Sequence, residues 1–348
     1  MKRRRYLIPL ALLAIVIGVA GAILLRKSAP PEPVRLLPGA QAYLYVSFAP
    51  LRLADIKMAP VQYDADYQAF IQETGFQWER DIDQIALAVH TPLSGQPGEN
   101  RYTEVVEAHF DSDKVRRYLN KLSSRIDSYR DEEIFNIPRE NRTVRVVILG
   151  PELVAISNVD DPLVIRGIVD RYKKVALPFG GPKLVRQHYR SLPLGTLAWA
   201  IADIARGSKE NKAFVIPGGF DLFFPPDTVA VASIRYLGSI DLRVEALATT
   251  AEAAQRINDQ LNAFLAVFRT LELNAGGGDP DVKTFFSSVK VEQEGSKAVL
   301  TAELPKGFLK KVLTEPPQDV QTLTPAPQPK EFEKPQPKPK AKRRPLSQ

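Results

Sequence analysis

The sequence predicts an α+β protein with an N-terminal transmembrane helix, two similar subdomains of antiparallel sheet plus helix, and a disordered Pro/Lys-rich C-terminal tail. Three observations carry this. Residues 6–25 are apolar and uncharged. Strand-like and helix-like periodicities follow one another in the same order in residues 39–175 and 192–315. The last 33 residues are rich in proline and basic residues, with lysine and proline interleaved in "KPQPKPKAKRR" (334–344).

The head and anchor span residues 1–27. Lys2, Arg3, Arg4 and Arg5 precede "YLIPLALLAIVIGVAGAILL", twenty residues without a charge. A helix of that length covers about 30 Å, the thickness of a hydrocarbon core. The expected membrane-anchor residues are Tyr6, Leu7, Leu10, Leu12, Leu13, Ile15, Val16, Ile17, Leu24 and Leu25. Four basic residues before the span and only Arg26 and Lys27 after it hold the N-terminus in the cytoplasm and send the body across. Ala20-Gly21-Ala22 also matches the small-x-small pattern of signal-peptide cleavage, which leaves a cleaved leader as the alternative. The apolar run continues past that site through Leu25, which favours an uncleaved anchor. The expected location is therefore the bacterial cytoplasmic membrane, single-pass, with the body extracytoplasmic.

Residues 28–38, "SAPPEPVRLLP", with three prolines in positions 30–33, are expected to form a stiff extended linker. The body then shows a repeat. "LPGAQAYLYVSFAPLR" (37–52) parallels "LPLGTLAWAIADIARG" (192–207), each a turn before an apolar strand. Residues 83–126 parallel 227–268 as strand, turn, strand and helix. Val115, Leu119, Leu122 and Ile126 recur at helical spacing after Asp111 or Ser112 as N-cap, and so do Ile257, Leu261, Phe264, Leu265 and Phe268 after Thr249, which has capping-box spacing to Glu252. One apolar stripe per helix implies helices on one face of each sheet. Each half closes with a hairpin turning at Gly150 or Gly295, followed by a helix opening at Pro162 or Pro305. Residues 176–191 are expected to link the halves, and an insertion in the first, residues 53–80, includes a candidate helix, "YDADYQAFIQETGF" (63–76).

The net positive charge belongs to the flanks. The first 35 residues carry a formal charge of +6 and the last 33 carry +4, which leaves residues 36–315 at −3 of a total of +7. A basic nucleic-acid groove in the body loses its support. With no cysteine, disulfides and thiolate chemistry are excluded. His90, His109 and His188 are scattered, and no nucleophile elbow, H-E-x-x-H or phosphate loop occurs. "PFGGPK" and "AGGGDP" read as turns. Asp64 with Asp66 and Asp111 with Asp113 read as caps rather than calcium ligands. No catalytic, cofactor or metal residue is therefore assigned.

Two segments are candidates for partner contact. The insertion "FVIPGGFDLFFPP" places Phe214, Phe220, Phe223 and Phe224 among proline and glycine, as a docking loop or a folded core loop. The tail, residues 316–348, carries Lys334, Lys338, Lys340, Lys342, Arg343 and Arg344 on a chain that the interleaved prolines keep extended. Outside the cytoplasm its partners are anionic lipid, wall polymer or an acidic envelope protein, and not nucleic acid. The order of anchor (Lys2 to Leu25), linker, repeated α+β body and Pro-Lys tail resembles bacterial membrane-anchored extracytoplasmic proteins built on a domain of unknown function. The resemblance covers most of the chain in layout and transfers no site residues. The expected function is non-catalytic binding or scaffolding in the cell envelope; the alternative is an envelope hydrolase with an Asp/Glu pair.

Overall fold

The computed structural model describes residues 29–53, 65–90, 101–139, 142–174, 180–204, 228–236, 239–274 and 280–305. The chain is mixed α+β, and its strands form one antiparallel sheet. The first half contributes β1 (Ala42–Ser47), β2 (Ile82–His90), β3 (Arg101–Ala108), β4 (Arg125–Tyr129), β5 (Glu132–Arg139), β6 (Arg142–Ile148) and β7 (Leu153–Ser157). The second contributes β8 (Thr196–Asp203), β9 (Val229–Tyr236), β10 (Ile240–Leu247), β11 (Lys290–Glu294) and β12 (Lys297–Leu304). The spatial order is β11-β12-β10-β9-β8-β1-β2-β3-β7-β6-β5-β4.

The halves meet where β1 pairs antiparallel with β8, Leu44 lying opposite Ala200. Two separate sheets were expected; a single one forms because both opening strands are apolar on both faces and would otherwise expose their edges. Alternation along the strands separates two faces. On the upper face Tyr43, Tyr45, Ala86, Ala88, Val105, Ala155, Trp199, Ile201 and Val231 are buried. The Tyr45 and Trp199 rings stack there with centroids 5.6 Å apart. On the lower face of the first half Phe135, Ile137, Val146 and Ile148 are buried.

Helices cover both faces of the first half, where one covered face was expected. α1 (Glu32–Leu36) buries Val34 and Leu36, and Leu37 follows them into the upper core. Residues expected in an extended linker are thus part of the body, because the apolar V-x-L-L run is worth more buried than held in water. After α1 come the short α2 (Ala49–Leu53), then α3 (Ala65–Thr74) and α4 (Trp78–Asp81). α5 (Ser112–Leu122) places Val115 and Leu119 on the lower face. α6 (Leu163–Lys174) places Ile165, Ile168 and Val169 on the upper. The Arg171 Nε donates to the Leu36 carbonyl at 2.7 Å and ties α6 to the C-terminus of α1. α7 (Lys183–His188) buries Val185 in the same core, so the segment read as a linker is also packed.

In the second half α8 (Ala251–Asn274) sets Ile257 and Leu261 against Ala246 and Ala298 on the lower face, and α9 (Pro280–Ser288) adds Phe285 and Phe286 beside Ala302. Among the described residues no helix is long and apolar enough to cross a membrane, and residues 6–25 lie outside them.

Local expectations fare unevenly. Asp111 is the N-cap of α5 and accepts from the Asp113 and Lys114 amides, both at 3.1 Å. Thr250, not Thr249, caps α8, its Oγ1 accepting from the Ala253 amide at 3.1 Å. Ile126 is not on the helix, which stops at Leu122; it pairs with Phe135 in the β4–β5 hairpin. That hairpin was not expected. Tyr129 and Glu132 close it around Arg130 (φ 50°) and Asp131 (φ 65°), a left-handed pair usually filled by Asn-Gly. The turn is held from outside, because Arg130 Nε pairs with Asp170 of α6 at 2.5 Å.

Two outcomes follow for denaturant melts tracked by circular dichroism. Asp131→Gly is expected to raise stability by about 1 kcal/mol by relieving a left-handed residue. Trp199→Ala is expected to lower it by about 3–5 kcal/mol through loss of the ring that binds the two halves.

Candidate binding surfaces

The anchor residues, Lys2 to Arg5, Phe214, Phe220, Phe223, Phe224 and the six tail cations all lie outside the described residues. Three concavities remain to be weighed.

The first is on the upper face of the second half, a cleft of about 520 Å³ lined by Arg235, Asp241, Arg243, Lys290, Thr301 and Glu303. Its charges are largely spent on one another. Arg235 meets Asp241 at 3.2 Å; Arg243 meets Glu245 at 2.8 Å and Glu294 at 3.4 Å; Lys297 meets Glu245 at 3.2 Å. Burial works against the Glu245 carboxylate, but hydrogen bonds from Arg243 and Lys297 outweigh it and hold its pKa low. The result is a self-neutralised polar surface.

The second lies at the mid-sheet, about 480 Å³, between Gly39, Gln41, Tyr43, His90, Lys183, Gln187 and Asp203. His90 ends β2, and its Nε2 lies 3.0 Å from Thr103 Oγ1, itself 3.0 Å from Ser157 Oγ. Burial drives the imidazole pKa down to about 4, opposed by a hydrogen bond with the Gly39 backbone. The ring is therefore a neutral member of a buried polar chain rather than a proton shuttle near pH 7.

The third is on the lower face of the first half, about 320 Å³, roofed by α3, α4 and α5. Its floor is Val106, Ala108, Val144, Val146, Val154 and Ile156, and its walls are Phe70, Phe76, Trp78, Phe110, Val115 and Leu119. Gly75 (φ 75°) ends α3, its amide bonding the Ile71 carbonyl at 2.7 Å, so that Phe76 and Trp78 fold back over the sheet. The rings interlock edge to face: Phe70 with Phe76 at 5.8 Å and Tyr118 at 5.1 Å, Phe76 with Trp78 at 5.5 Å. One charged side chain, Arg139, lines the cleft. It is exposed at the end of β5, and Arg142 opposes it across the β5–β6 ladder on the same face. Elsewhere on this face Glu104 sits beside Leu87 and Ile156, and burial raises its carboxyl pKa.

Of these wall residues Val115 and Leu119 were read from sequence as a helix stripe and none as part of a site, though Tyr67, Phe70, Phe76 and Trp78 fall within twelve positions, an aromatic density close to that of the segment holding Phe214 to Phe224.

Titratable groups gather at one further place. His109, exposed just past β3, lies 3.1 Å from Asp83 and 3.5 Å from Glu152, and Arg52 also bonds Asp83. Burial and the charges of Asp83, Glu32 and Glu152 raise Glu107 beside them. Among the described residues no three His, Asp or Glu side chains are placed to hold a metal ion. The three histidines are not brought together in one site: His90 is mid-sheet, His109 on this rim, and His188 ends α7.

Between pH 6.5 and about 4 the unfolded chain takes up a proton at His90 that the folded chain refuses. The stability from neutral His90 is therefore complete above pH 6.5 and is lost as the pH falls toward about 4. His90→Asn is expected to flatten this part of the stability–pH profile, measured against the native chain by denaturant melts; an unchanged slope would count against a desolvated ring.

No family model matches the chain, and no curated protein matches it. Solved structures give a distant likeness. Crystal form III of TP0453 is similar over 81% of this chain and 98% of that one, at 10% identity and a TM-score of 0.46. Crystal form I of the same protein covers 82% and 97%, at 10% identity and a TM-score of 0.45.

Proposed function

We propose that this is a non-catalytic binding or scaffolding protein of the bacterial cell envelope, anchored by residues 6–25 with its body outside the cytoplasm. The observation that carries the binding reading is the open apolar cleft under α3, α4 and α5. A core normally fills such a space with side chains, because atoms that line a gap lose packing partners on one side. An apolar, aromatic-walled concavity with one charged residue at its rim has the composition of a ligand-binding site, which supports the reading.

The body is further proposed to be an internal duplication. Support comes from topology: β1-β2-β3 and β8-β9-β10 are laid in order, and each half returns a hairpin, β6–β7 or β11–β12, whose last strand joins the third. Register supports it too. With Leu44 and Ala200 at a local two-fold, Tyr43 corresponds to Trp199 and Tyr45 to Ile201, and all four are buried on one face. The β4–β5 hairpin is then an insertion in the first half.

A second reading, an envelope hydrolase, has in its favour the gathering of Asp83, Glu107 and Glu152 about His109. That cluster stands on an open rim, with His109 and Glu152 each more than half exposed. Water exclusion, which such chemistry uses, is lacking there.

Two measurements test the proposal. An alkaline phosphatase fused after Gln348 is expected to be active and a cytoplasm-dependent fluorescent reporter dark; the opposite pattern would overturn the topology. Crosslinking in intact envelopes is expected to recover partners several-fold less well from Val154→Phe, which fills the cleft, than from a chain lacking 316–348. Equal recovery from the native and Val154→Phe chains would remove the cleft from the function.

A further inference from the structure

We infer that the lower-face cleft of the first half binds a free long-chain carboxylic acid, its hydrocarbon chain between the aromatic wall and the floor of β3, β5, β6 and β7, its carboxylate on Arg139. The inference rests on the binding reading above and names the ligand class for it.

Size and lining choose the chain. At about 320 Å³ the cleft lies at the lower end of small-molecule sites, enough for one extended hydrocarbon chain and too small for the paired chains of a bilayer lipid. Of its lining side chains all but Arg139 are apolar, so a polar body such as a sugar or a nucleotide would be buried there without hydrogen-bond partners.

The rim chooses the head. Arg139 makes no ion pair or hydrogen bond among the described residues, whereas the other cations nearby are engaged: Arg116 meets Glu133 at 2.7 Å and Lys121 meets Glu73 at 2.6 Å. Arg142 stands directly across the ladder on the same face. A guanidinium fork matches the two oxygens of a carboxylate, giving a charge-assisted bond at the mouth while the chain lies in the apolar floor.

Trp78 gives a local readout, because it lines this cleft while Trp199 is buried on the upper face. The full chain in nanodiscs of zwitterionic phospholipid is titrated with an 18-carbon acid brominated along its chain, a short-range quencher of indole fluorescence. Saturable quenching is expected in the native chain and is expected to vanish in Trp78→Phe, which retains Trp199. The alcohol of the same brominated chain is expected to need about tenfold more for half-quenching, the scale of one charge-assisted hydrogen bond. Arg139→Ala, at an exposed site that leaves the core intact, is expected to abolish that difference while leaving alcohol binding in place. Val154→Phe is expected to weaken both ligands. Quenching that only follows partition into the bilayer, acid and alcohol equal in the native chain, or an acid preference that survives Arg139→Ala would each overturn the assignment. So would equal quenching by a brominated phospholipid in the disc without added acid, which would give the cleft to a membrane lipid. If the acid fails here while envelope crosslinking still depends on Val154, the binding reading stands with another occupant; if both fail, the cleft is not a binding site.

Discussion

The antiparallel pairing of β1 with β8 is the contact on which the rest of the molecule depends. Without it each half would end in a long apolar edge strand, open to pairing with any other chain. With it the free edges move outward to β11 and β4, both short and charged: Lys290, Glu292 and Glu294 on one, Arg125 and Asp127 on the other. The pairing also sorts side chains by size. Tyr43, Tyr45, Trp199 and Ile201 fill the upper face, where α1, α6 and α7 cover the first half and the join. Leu44, Ala198, Ala200 and Ala202 fall on the lower face, where Leu44 stays 40% exposed. Bulk above and small residues below make the join thick on one side and shallow on the other. Burial also pushes the Tyr45 hydroxyl up to about 12, so it remains a neutral donor, bonded to Gln84 Oε1 at 2.7 Å.

What sequence could read here was whatever is decided locally. The apolar stripes of α5 and α8, the Asp111 cap and the glycine turns at Gly150 and Gly295 are encoded within a few residues of themselves, and the structure has them. The misses all involve partners distant in sequence. α1 looks like a proline linker until α6, some 130 residues later, supplies Arg171 for its last carbonyl. The β4–β5 turn lacks Asn-Gly because Asp170 pays from outside for the left-handed Arg130. The register of β1 against β8 is another such miss, because in a strand one position exchanges the faces. Only the pairing of Leu44 with Ala200 fixes it.

The candidate site was illegible for the same reason. Phe70, Phe76 and Trp78 are close in sequence, but the floor they face comes from four strands, and Arg139 reaches the mouth from the end of β5. A helix with aromatics at that spacing is as easily a core element, and only its tertiary position leaves a gap beneath it. The phenylalanines at 214–224 and the basic tail drew notice because their composition is unusual in one continuous stretch. The cleft has no such continuity: its lining is spread over residues 70–156.

The two halves, if duplicated, differ where function would need them to. α8 is 24 residues long, about 36 Å, and lays Ile257, Leu261 and Leu265 along its half of the lower face. It meets the small side chains Ala246, Ala298 and Ala302 there, which let a helix approach closely and leave little space. In the first half α5 has 11 residues, about 16 Å, and buries only Val115 and Leu119 before it stops. The sheet beneath carries Phe135, Ile137, Val146 and Ile148 instead of alanines, holding the helix off, and α3 with α4 covers the remaining length through rings that meet edge to face. A long helix over alanines closes a face; a short helix over branched and aromatic residues, with a second helix beside it, leaves a slot between them. The same strand order therefore yields a filled core in one half and an open cleft in the other, and the difference lies in helix length and in the volume of the residues beneath.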